Sequence, residues 1–148
     1  MATVELLFSA LPEHVRTARL VAAAVARRAG VDEAVLDEVR LAVGEACTRA
    51  VSLHQSNAVS APVKVVLIED EKKFSIEVGD EAPHAVSGAV PGARTGGDGG
   101  AEDSAAEEED EMGLAVISGL VDDVEVSTGE AGGLIRMSWP ATPATMLP

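Results

Sequence analysis

Between Val31 and Gln55 the apolar residues Val35, Val39, Ala42, Val43, Ala46, Cys47, Ala50 and Leu53 recur every three or four positions. That repeat predicts an amphipathic helix with one buried face. A polar face carries Glu38, Glu45, Arg49 and Ser52, with Glu45 and Arg49 spaced for an i,i+4 ion pair. Upstream, Val4, Leu6 and Phe8 alternate with Glu5, Leu7 and Ser9, which predicts a strand over Thr3 to Ala10. A second helix follows, opened by Pro12 and ended by Gly30, with a stripe of small apolar residues at Val15, Ala18, Ala22, Val25 and Ala29. Asp32 is placed to cap the helix after it.

Beyond the connection Ser56 to Pro62 the period changes to two. Val63, Val65 and Leu67 mark one strand and Phe74, Ile76 and Val78 a second, joined by the short polar stretch Glu69 to Lys73. Asp80 stands at the end of the second strand. A helix is expected from Gly113 to Asp122, with Leu114, Ile117 and Leu120 or Val121 on one face. Strands Val124 to Thr128 and Leu134 to Trp139 then flank a turn at Gly129 to Gly133. The order β, α, α, β, β, long loop, α, β, β predicts an α+β sandwich with helices on one face of a mixed or antiparallel sheet.

Residues 81–111 break every pattern. They are rich in glycine and poor in large apolar side chains, and from Asp98 to Glu111 there are eight acids and no base. Self-repulsion in such a block opposes compact packing, so a mobile, lid-like acidic loop is expected. The remainder makes one domain over residues 1–140, with a frayed tail at 141–148.

Composition narrows the function. A net charge of −14 argues against nucleic acid and anionic membrane surfaces as partners, and leaves a basic protein partner open. With two Phe, one Trp and no Tyr, stacking on bases is poorly supported. The lone Cys47 can form no internal disulfide, and no long uninterrupted apolar run or basic-plus-apolar leader is present, so a cytoplasmic location is expected. On the apolar stripe Cys47 reads as a small buried thiol. His14 and His84 lack zinc spacing, and no metal site is assigned.

Three landmarks carry chemistry: VGEACTRA on the second helix, VGDEAP at a strand end, and MGLAVISGL opening a helix after the long loop. In order and placement they resemble the histidine-kinase-like (GHKL) ATPase domain of the RsbW and SpoIIAB type of anti-sigma-factor serine kinase, over nearly the whole chain. The resemblance implies an ATP and Mg²⁺ site. There Glu45 would polarise the attacking group, Asp80 would accept from the adenine amino group, and Gly113 and Leu114 would open a helix facing the phosphates.

Two positions depart from the pattern. Arg49 stands where the family has an asparagine that binds Mg²⁺, and a guanidinium has no lone pair to offer. Arg49 is expected to pair with Glu45, the alternative being direct contact with phosphate. Ala82 replaces a glycine that brings the backbone close to adenine. Glu107 to Glu111 would also crowd a triphosphate with negative charge, or plug the phosphate position. Taken without the resemblance, they are acids favourable to a helix N-terminus. His54 falls one position later than the family's usual histidine and reads as a helix-end residue.

The expectation is therefore an anti-sigma-like regulatory protein with a degenerate nucleotide site. The resemblance implies two partners, a sigma factor and an anti-anti-sigma (STAS-type) antagonist, and dimers are usual in that family. An active serine kinase using Glu45 as base is the alternative, and an electrostatic decoy built on residues 98–111 a third.

Overall fold

The computed structural model describes residues 2–83 and 115–142. Five strands form one sheet: β1 (Ala2–Phe8), β2 (Val63–Glu69), β3 (Lys73–Asp80), β4 (Asp123–Gly129) and β5 (Gly132–Pro140). Their order is β1-β2-β3-β5-β4, and every neighbouring pair is antiparallel. Helices α1 (Pro12–Ala29) and α2 (Leu36–Ser56) cover one face. The expectation of a mixed or antiparallel sheet resolves to the antiparallel form.

The period-two residues do what their alternation predicts. Val63, Val65 and Leu67 of β2, Phe74, Ile76 and Val78 of β3, and Ile135, Met137 and Trp139 of β5 are all buried beneath the helices. The small stripe of α1 lets the two helices approach closely, and its five residues are buried too. Gly30 ends α1 with φ 97°, and its N–H returns to the helix. Asp32 caps a single 3₁₀ turn, Glu33–Val35, through an Oδ1 bond from the Ala34 N–H at 2.9 Å, so it acts one turn ahead of α2 itself.

A short helical segment at residues 115–120 is tied to the sheet. Ile117 is fully buried, and Trp139, stacked on Phe74, donates its indole N–H to the Leu120 carbonyl at 3.2 Å. The first two residues of the expected frayed tail are tied down. The Ala141 N–H bonds to the Lys72 carbonyl and the Thr142 N–H to the Gly30 carbonyl, both at 3.0 Å, so the chain is held to Thr142. Residues 143–148, and the acidic run expected at 98–111, lie outside the described residues.

Cys47 is buried in the core as its spacing predicts, and desolvation pushes its thiol from the ordinary 9.0 up to about 12. As pH rises above 9.0, the unfolded chain therefore gives up this proton before the folded one. Stability is whole below that pH and falls toward pH 12 by up to about 1.4 kcal/mol per unit. Urea unfolding of the native protein and of Cys47→Ala at about pH 8 and about pH 10 checks this, because only the native protein should show the thiol's share of the slope.

Candidate functional site

The candidate site lies where α2 passes the end of β3. Arg49 comes from the middle of α2 and Asp80 is the last residue of β3. Their side chains are 7% and 2% exposed, and Nη1 of Arg49 faces Oδ2 of Asp80 at 4.0 Å. Oδ1 of Asp80 accepts the Ala82 N–H at 3.0 Å, which turns the chain out of the sheet. This corrects the expected local pairing: Arg49 turns inward to Asp80 across the fold, and Glu45 does not hold it. A buried guanidinium and a buried carboxylate neutralise one another far more effectively than an exposed helix pair.

His54 braces the same corner from one turn further along α2. It is fully buried. Its Nδ1–H donates to the Ala61 carbonyl at 2.9 Å, and its Nε2 accepts the Glu81 N–H at 2.8 Å. Those two partners assign the Nδ1–H tautomer. His54 stands in the last turn of α2, as expected, and from there the imidazole joins the end of α2, the approach to β2 and the residue after Asp80. Its position is legible in retrospect, because Val43, Cys47, Ala50 and His54 continue one buried stripe.

Gly132 backs the site from the other side. It opens β5 after the two-residue turn Glu130–Ala131, and Gly133 pairs with Asp80. Gly132 has φ 147°, and a Cβ built there would lie 2.2 Å from the Asp80 carbonyl oxygen. Only glycine fits so close to another strand's backbone. A shallow hollow of about 350 Å³ opens beside these residues, reaching Ser127, Thr128 and Leu134.

Glu45 sits elsewhere. It is half-buried and lines a larger cleft of about 660 Å³ between α1, α2 and the 115–120 segment, near Thr48 and Val116. The structure therefore brings Arg49, Asp80 and Ala82 together and places Glu45 on a neighbouring opening. Ala82 is fully buried. Gly113, Leu114, His84 and Glu107 to Glu111 lie outside the described residues.

The donor set bears on the implied cofactor. Among the described residues no three His, Cys, Asp or Glu side chains are grouped to hold a metal. Arg49 is a donor only, so its guanidinium does not suit Mg²⁺. Asp80 is turned toward a cation and an N–H of its own chain.

The histidine kinase-like ATPase domain model matches residues 8–139. The chain belongs to that family. A solved structure with the same fold is that of the RsbU and RsbW domains of Rv1364c from Mycobacterium tuberculosis. It superposes with a TM-score of 0.66 at 15% identity, over 97% of this chain and 33% of that one. The chain thus spans about a third of that protein's length. No curated protein matches in sequence. Among the described residues no helix is long and apolar enough to cross a membrane.

Proposed function

We propose that this ATPase-family chain is an anti-sigma-like regulator that acts in the cytoplasm by binding proteins, with its phosphoryl-transfer apparatus impaired. Its partners are a sigma factor, which it sequesters, and a STAS-type antagonist that competes for it. Family membership, the three sequence landmarks and a fold shared with a chain that carries an RsbW domain support the reading. The observation that carries the loss of catalysis is the buried Arg49–Asp80 pair. Phosphoryl transfer depends on positioned Mg²⁺ and on neutralising developing charge. Here the metal-ligand position holds a cation of the protein itself, and the carboxylate expected to read adenine faces that cation.

Calorimetric titration with ATP, with and without Mg²⁺, tests this on the native protein and on Arg49→Asn after circular dichroism confirms that the variant is folded. The native protein is expected to show no micromolar, Mg²⁺-dependent binding, and the variant to gain some. Micromolar Mg²⁺-dependent binding by the native protein sinks the impaired-site reading. The alternative, an active serine kinase, draws on one observation: Glu45 lines an open cleft, where a general base can meet a partner's hydroxyl. ATP-dependent phosphorylation of a STAS-type antagonist that is lost in Glu45→Gln would establish it.

A further inference from the structure

We propose that His54 is a proton-operated clasp on the corner that carries Asp80: when neutral, its imidazole stands in for the next rung of the β2–β3 ladder, and protonation breaks that rung. The inference goes beyond the partner-binding reading and holds whether or not nucleotide binds.

The first observation is the place of the ring. β2 and β3 pair as far as Lys64 opposite Gly79. Continuing that register sets Pro62 opposite Glu81, and proline has no N–H to give a ladder. The strand pairing ends there, and the imidazole takes over. Its Nδ1–H donates to the Ala61 carbonyl at 2.9 Å on the β2 side, and its Nε2 accepts the Glu81 N–H at 2.8 Å on the β3 side. In the neutral ring one nitrogen donates and the other accepts, as a peptide group does. The ring is fully buried, so water does not compete for either bond.

The second observation is what a proton does at that place. An imidazolium has two donors and no acceptor. Its new Nε2–H would point at the Glu81 N–H, donor against donor, across the same 2.8 Å. The Ala61 bond survives, because Nδ1 still donates. Around the ring, α2 contributes the buried Arg49, a like charge, and Cys47, whose thiol burial keeps neutral. The end of β3 contributes Asp80, which already faces that guanidinium at 4.0 Å, and the exposed Glu81. Residues 57–63, leading into β2, carry no titratable side chain, and neither do residues 9–11, where Gln55 donates to the Ala10 carbonyl. On α1, His14 tilts against Phe8 with ring centroids 6.2 Å apart. Protonation therefore opens one side of the clasp: the chain after Asp80 lets go of α2 while the approach to β2 stays attached. The Ala82 N–H bonds to Oδ1 of Asp80 in the same turn, so the released segment loosens the seat of the candidate site.

The test is imidazole and amide NMR on the full-length, isotope-labelled protein between about pH 8 and about pH 5, which spans the ordinary imidazole titration. The ring signals absent from His54→Gln identify His54. At the upper end they should show a protonated Nδ1 and a bare Nε2. On acidification both nitrogens should carry protons, and the Glu81 amide should lose about tenfold in protection against hydrogen exchange. The amides of Val65 and Val78, in the interior strands, should keep theirs. His54→Gln is the control that does not titrate, since a carboxamide also offers an oxygen to Glu81 and an N–H to Ala61. Its Glu81 protection should hold over the same range. If the variant fails to fold, the contrast between Glu81 and the interior amides of the native protein decides alone. A proton on Nε2 at the upper end, a ring that stays neutral until the whole protein unfolds, equal losses at Glu81 and Val78, or the same loss in folded His54→Gln overturns the proposal. The ATP titration reports on the impaired site, so either proposal can fail without the other.

Discussion

Gly132→Ala is expected to lower stability by about 3–5 kcal/mol, enough to drop the melting temperature by roughly 10 °C or more. The new methyl carbon would lie 2.2 Å from the Asp80 carbonyl oxygen and 3.2 Å from the Glu81 Cα, at a φ of 147°. Those neighbours are backbone atoms of β3 and the residue after it, so no side-chain rotation relieves the clash. Relief requires β5 to move away from β3 where Gly133 pairs with Asp80, which disturbs the candidate site directly. Gly129→Ala, in the same hairpin, is the control: nothing lies within 4 Å of its added Cβ. It should change stability by less than about 1 kcal/mol. Calorimetric melts of the two variants decide the matter, and equal losses would reject the steric account.

Breaking the buried ion pair from one side has a comparable effect. Arg49→Met leaves the Asp80 carboxylate, 2% exposed, without its guanidinium, and a loss of about 3–5 kcal/mol is expected. Asp80→Asn keeps an oxygen for the Ala82 N–H but removes the carboxylate charge that faces the buried arginine, so it should be destabilising too. The double variant buries neither charge. It should therefore recover much of the loss, giving a coupling of at least about 1 kcal/mol in a double-mutant cycle followed by urea unfolding. Simple additivity would show that the two side chains do not act as a pair. The same cycle bears on the proposed function, because on that reading a strong coupling is the internal contact that keeps Asp80 from a nucleotide.

The helices and strands were legible because their signal is local. The stripe of α2, the small residues of α1 and the alternation in β2, β3 and β5 each record which side of an element faces the core, and each is satisfied within a few residues. The landmarks VGEACTRA and VGDEAP likewise lie on a helix and at a strand end, as their spacing implies. The candidate site was legible only as a set of residues. Arg49 and Glu45 are at the right spacing to pair, and nothing local distinguishes that partner from Asp80, which comes 31 positions after Arg49 in the chain. His54 reads as the polar end of a helix until Ala61 and Glu81 are brought to its two nitrogens.

By itself, then, the sequence determined the order and type of the elements, the buried stripes, the excess of acid and the residue types available at the family's landmark positions. These follow from periodicity and composition, which depend on near neighbours in the chain. Only the tertiary structure decided that Arg49 meets Asp80, that His54 binds two backbone segments and that Gly132 must lack a side chain. Each rests on a contact between separate elements, most of them distant in sequence. Its strength comes from burial and from the exclusion of alternatives, and both arise when the helices close over the sheet.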